Sequence, residues 1–123
     1  SINQFGEVQA VGGVNEKIEG FFRLCQARGL TGEQGVIIPR SNMVNLLLDE
    51  AVVSAVRDGQ FHVYAVSHVD QALCLLSGVE AGCADADNEF PEGSINAQVV
   101  ARLRSIADLD DDEEKGEEEK PSA

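Results

Sequence analysis

The stretch Gly12-Gly13-Val14-Asn15-Glu16-Lys17 decides how the chain is read, because the hydrophobic period changes across it. Before it, Ile2–Phe5 and Glu7–Val11 read as extended segments hinged at Gly6, with Val8 and Ala10 alternating against polar neighbours. After it, Val14, Ile18, Phe21, Phe22 and Cys25 fall on one face at helical spacing, and Gly29 stands where a helix-ending glycine is expected. The two glycines therefore read as a strand-to-helix turn, with Lys17 in the first turn of the helix.

The alternation continues downstream. Thr31–Gly35 reads as a loop and Val36–Ile38 as a short buried strand that Pro39 stops. Ser41 or Asn42 is placed to cap a short helix through Leu48. A second helix is predicted from about Asp49 to Asp58, with Val52, Ala55 and Val56 inward and Gly59 closing it. Phe61–Val66 is a strand. Ser67 with Asp70 resembles a capping box, and Val69, Ala72, Leu73 and Leu76 make an apolar stripe that ends at Gly78. Residues 79–94 have linker composition, 95–107 an amphipathic helical pattern, and 108–123 the character of a disordered acidic tail. Short strands alternating with helices predict an α/β layered fold. Four such strands are few for a closed sheet, and the chain opens without Met in strand-like sequence. The expectation is a partial domain whose missing strands precede residue 1, leaving a sheet edge and apolar surface that favour self-association.

Composition narrows the function classes. With 123 residues and 43% apolar content the chain fits one globular domain, and no apolar run approaches the roughly 18 residues that would span a bilayer. A soluble, cytoplasmic protein without membrane partners is expected. The formal charge of −13 is uneven: from Asp108 to Lys120 there are nine acidic residues and two lysines. Such a run repels itself and has little apolar surface to bury, and it argues against nucleic acid as a ligand. Cys25, Cys74 and Cys83 share no CxxC spacing and are expected to be reduced packing residues. His62 and His68 show no ligand spacing and read as structural, so no metal site is expected.

Before the tail, Lys17 is the only lysine. On a helical wheel it lies beside the apolar face, next to Phe21 and Leu24. A lysine serving as general base must lose its proton near neutral pH, about 3 pH units below the ordinary value of about 10.4. A helix N-terminus disfavours the cation by only about 0.3–1 kcal/mol, so desolvation has to supply most of the effect. The residues alone leave the alternative of an amphipathic side chain that snorkels into water from a helix edge.

The run from Gly6 to Lys17 resembles the Lon-type serine peptidase pattern of strand, Gly-Gly, two variable residues, then Glu-Lys. The Ile18–Gly29 helix, the Val36–Pro39 strand, the Asn42 segment, and Val63–Val66 followed by Val69–Leu73 match the order in which that family continues. The resemblance covers residues 1–78, and the Phe21-Phe22 and Gly29–Gly35 regions look closer to the Lon-like ATPase–protease branch. It implies the C-terminal part of a proteolytic domain, with Lys17 as general base of a Ser–Lys dyad that hydrolyses protein or peptide substrates. The family's serine lies in a Pro-x-Asp-Gly-x-Ser-Ala-Gly context upstream, which this chain does not contain; Ser41 and Ser67 read as caps and Ser54 lies inside a helix. The chain alone is therefore expected to be inactive. The resemblance also implies an ATPase module using ATP with Mg elsewhere in the full-length protein, and a homo-oligomeric, hexamer-like ring. No G-x-x-x-x-G-K-[ST] motif occurs here, so no cofactor is expected in this chain. Two other readings stand beside it: a non-catalytic α/β interaction domain with an acidic tail, and a small hydrolase using one of its own serines.

Overall fold

The computed structural model describes the backbone of residues 1–118 and the side chains of residues 1–109. It is mixed α/β, as the alternating pattern predicts, and divides into two units, Ser1–Ala72 and Leu73–Ala123.

In the first unit, α1 (Val14–Arg28) starts directly after Gly13 and stops before Gly29, as its periodicity and glycine stop require. Its buried residues, Val14, Ile18, Phe22 and Cys25, pack with Ile38, Val52, Ala55 and Phe61 into one apolar cluster. Phe61, Ile18 and Val52 are the largest fully enclosed side chains, and burying each contributes about 1.5–3 kcal/mol. β1 (Gly35–Pro39) and β2 (His62–Val66) pair in parallel, with Gly35 opposite His62 and Pro39 opposite Val66. Parallel neighbours need a long crossover. It is made by a 3₁₀ turn, Arg40–Asn45, and by α2 (Glu50–Arg57). A side chain on Gly35 would put its Cβ 2.6 Å from the His62 carbonyl oxygen, so this strand start tolerates only glycine.

Several local expectations change. The N-terminal extended segments make only isolated antiparallel bridges, Ile2 with Val8 and Glu7 with His68. Asn3 turns the chain between them, its side-chain oxygen accepting the N–H groups of Phe5 and Glu7. Asn42 is not a helix cap: it lies within the 3₁₀ turn and is buried. Val56 is exposed rather than inward, because the short α2 buries only Val52 and Ala55. At the start of α3 (Val69–Ser77), Gln71 rather than Asp70 closes the cap, its Oε1 accepting the backbone N–H groups of Ser67 and His68. One more residue of reach lets the longer amide side chain meet both donors. The apolar stripe of α3 holds no buried residue; Leu76 is 77% exposed. Of the three cysteines only Cys25 is a buried packing residue, while Cys74 and Cys83 are exposed.

In the second unit, residues 79–94 contain no helix or strand but turn back on the following helix. Ile95 and Asn96 donate backbone hydrogen bonds to Glu80 and Ala81, and Asn96 Nδ2 donates to the Gly82 carbonyl. Buried Ser94 accepts the Ala97 N–H at 3.2 Å and begins α4 (Ile95–Glu118). The helix continues beyond the expected 95–107 into the stretch read as tail; residues 119–123 of that tail lie outside the described residues. Among the described residues, no helix is long and apolar enough to cross a membrane.

Gly13 has φ 67° and ψ 29°, a left-handed conformation, whereas Gly12 does not have positive φ and has open space around it. Gly13→Ala should therefore lower stability by about 1–2 kcal/mol. Gly12→Ala should stay within about 0.5 kcal/mol of the parent chain. Urea unfolding of the two variants, followed by circular dichroism, checks the contrast.

Candidate functional site

The Gly12-Gly13 turn is built by residues on both sides of it. Upstream, the carboxamide of Asn42 grips Val11: Oδ1 accepts the Val11 N–H and Nδ2 donates to the Val11 carbonyl, both at 2.9 Å. Asn42 is 2% exposed and its amide serves Val11 as a neighbouring strand would. Downstream, in the first turn of α1, Asn15 Nδ2 donates to the Asn45 carbonyl and Oδ1 accepts the Leu47 N–H, each at 3.0 Å. Glu19 Oε1 accepts the Asp49 N–H at 3.0 Å, and Arg23 reaches the Asp49 carboxylate at 3.2 Å. Asn15, Glu19 and Arg23 recur every fourth residue, so one face of α1 is joined polar group by polar group to the 45–49 connection. The Arg23–Asp49 pair is more than half exposed and contributes at most about 1 kcal/mol. The Asn42–Val11 pair matters more, because it is part-buried and an unpaired buried backbone group costs about 1–3 kcal/mol, whereas the Asn15 bonds are exposed.

Lys17 follows two residues after Asn15, its backbone N–H bonded to the Gly13 carbonyl at 3.1 Å. Its side chain is exposed, and among the described residues its ammonium has no hydrogen-bond or ion-pair partner. The flanking Phe21 and Leu24 are 40% and 49% exposed, so they do not cover it. Lys17 instead borders a cleft of about 150 Å³ between α1 and β1, with Val11, Val14, Ile18, Ile37 and Pro39 among its walls. A second cleft of about 290 Å³ lies on the other side of Val11 and the end of β1, lined by Ile2, Val8, Val66 and Val69 among others. Neither lining includes a serine near Lys17: Ser1 belongs to the second cleft, and Ser41, Ser54 and Ser67 line neither.

The histidines have structural partners. His62 Nε2 lies 2.6 Å from the Gly32 carbonyl, with its ring stacked on Tyr64. His68 Nε2 lies 2.9 Å from the Phe5 carbonyl and its Nδ1 3.3 Å from the Asp70 carboxylate. The depression along α4, bounded by Ile95, Gln98, Val99, Arg102 and Leu103, is the flank of a single helix in the second unit. What the sequence reading missed is the pair Asn42 and Asn15. Their side chains act on backbone about 30 residues away, which no local spacing encodes.

No family model matches the chain. Among curated proteins, it is 46% identical over 108 residues to a protein of Haemophilus influenzae named "Putative Lon protease homolog", covering 88% of this chain and 18% of that protein. It is 57% identical over 76 residues to a protein of the same name from Escherichia coli K12, covering 62% of this chain and 13% of that protein. The chain thus spans less than a fifth of the length of these relatives. A 108-residue match necessarily runs past residue 78, so the resemblance extends further than the sequence reading placed it.

Because the Lys17 ammonium is exposed and unpartnered among the described residues, Lys17→Ala should change the stability of the chain by no more than about 0.5 kcal/mol. Thermal unfolding of the variant beside the parent chain checks this.

Proposed function

The chain is a Lon-related fragment, and on that premise we propose that it is the C-terminal part of the proteolytic domain of an ATP-dependent, Lon-like serine endopeptidase, with Lys17 as the general base. The observation that carries the reading is the placement of Lys17. It is an amine without a partner among the described residues, in the first turn of a helix, after a left-handed glycine, on the wall of an aliphatic cleft. In the proposed reaction a serine supplied by an upstream segment of the full-length protein lies within hydrogen-bond reach of Lys17 Nζ. The amine takes the proton as the serine oxygen attacks a peptide carbonyl, then returns it to the departing amine; water releases the acyl group by the same proton relay. The cleft walls are hydrocarbon, and covering them would keep water from the base. ATP with Mg belongs to a separate module of the full-length protein, which is proposed to work as a cytoplasmic ring of identical subunits on protein or peptide substrates.

The full-length protein is expected to carry a serine in a Pro-x-Asp-Gly-x-Ser-Ala-Gly context upstream of residue 1. Lys17→Ala and Lys17→Arg in that protein should lower kcat for a fluorogenic peptide by at least about 100-fold, the low end of what a positioned base contributes. Unchanged turnover would favour the non-catalytic interaction domain.

A further inference from the structure

The two glycines before α1 give the turn freedom without restraint. Gly12 meets nothing within 4 Å of where a Cβ would stand, and Gly13 meets only the end of the Glu16 side chain at 3.7 Å. Val14 and Ile18 anchor the helix by burial, but apolar contact is non-directional. Direction comes from hydrogen bonds, and the chain places four of them around the turn at 2.9–3.0 Å: two from Asn42 to Val11 and two from Asn15 to Asn45 and Leu47. Both clasps rest on one short stretch, residues 42–47. It holds the residue just before the glycines through Asn42, and is itself held by Asn15, two positions after them. The turn is closed into a loop, with Lys17 two residues beyond its downstream clasp.

We infer that Asn42 and Asn15 are positioning residues for the Lys17 amine: the paired carboxamide clasps set the direction in which the lysine leaves the first turn of α1. The inference rests on the proposed role of Lys17 and adds to it the groups that aim the base. A general base works only within hydrogen-bond reach of its proton, and displacement of a reacting group by about 1 Å costs on the order of 100-fold in rate. Loosening either clasp should therefore lower the rate of the chemical step and leave substrate binding alone.

The test uses the full-length protein that carries this chain and four variants. Asn42→Asp keeps the acceptor for the Val11 N–H and removes the donor to the Val11 carbonyl; Asn15→Ala removes the other clasp at a half-buried site. Val52→Ala weakens the same core at a residue that takes part in neither clasp, and Lys17→Ala removes the proposed base. The expected result is a fall in kcat of about 10–100-fold in both asparagine variants, with KM for a short peptide within about twofold. Val52→Ala should keep the parental kcat below its unfolding temperature. Parental kcat in the folded asparagine variants overturns the inference, as does an equal fall in Val52→Ala, which would reduce the clasps to general stability. If Asn42→Asp does not fold, Asn15→Ala decides alone. Activity retained in Lys17→Ala sinks the proposed base itself, whereas an inactive Lys17→Ala beside fully active asparagine variants sinks only the clasps.

Discussion

Phe61 has no exposed surface, and the first unit is organised by what encloses it. Phe22 of α1 meets its ring edge-on with centroids 5.2 Å apart, and Phe21 approaches at 6.2 Å. Its backbone N–H bonds to the Ala55 carbonyl, tying the end of α2 to the start of β2. One side chain thus fixes the C-terminal half of α1 against both the crossover and the sheet. Two five-residue parallel strands carry few hydrogen bonds of their own, so this apolar contact, more than the ladder, holds α1 and the sheet together. At the N-terminal end of the helix, roughly 10 Å from Phe22 at 1.5 Å per residue, the anchoring changes character. Val14 and Ile18 are buried, but the amides of Asn15 and Asn42 determine how the chain enters the helix. The helix is held along one face by apolar packing from Val14 to Cys25 and along another by polar links from Asn15 to Arg23, and Lys17 lies in its first turn.

That division explains which parts of the molecule can be read from the sequence. α1 follows from spacing alone, since its apolar stripe, its Gly13 entry and its Gly29 exit are all local signals that agree. β1 and β2 are equally local, short apolar runs bounded by Gly35, Pro39 and Gly59. Asn42 is not. After Pro39-Arg40-Ser41 an asparagine has the chemistry of a cap, and the same chemistry suits a clasp on distant backbone. Only the fold brings Val11 within 2.9 Å of it and decides between the two. Gln71 shows the same limit at shorter range, where a glutamine one residue beyond the expected position takes over a cap. Burial is the third quantity the sequence does not settle. The stripes of α3 and α4 have helical period, yet Leu76, Val99 and Leu103 remain mostly exposed, because periodicity states which face is apolar and not whether anything covers it.

The candidate site repeats that lesson in its chemistry. The sequence places Lys17 in the first turn of a helix beside an apolar face, and the structure keeps it there, but Phe21 and Leu24 leave its amine in water. Direction and dryness are separate requirements for a base. On the proposed reading this chain meets the first through backbone clasps that need nothing outside it. It contributes to the second only one aliphatic wall, made by Val11, Val14, Ile37 and their neighbours.

A site divided in this way has a consequence for the order of its assembly. The clasps join segments about 30 residues apart within the first unit, so they form when that unit folds and do not wait for a partner. Water leaves the cleft only when another surface covers it. Fixing the turn in advance means that its ordering entropy is spent during folding and not when a cover arrives, which is the sense in which pre-organisation strengthens a later encounter. An amine that stays hydrated until then also avoids the cost of an unpaired buried charge in the folded unit. The exposed position of Lys17 is therefore compatible with the role proposed for it: a surface lysine whose backbone is held by the clasps on either side of the turn, and whose surroundings are proposed to be completed from outside this chain.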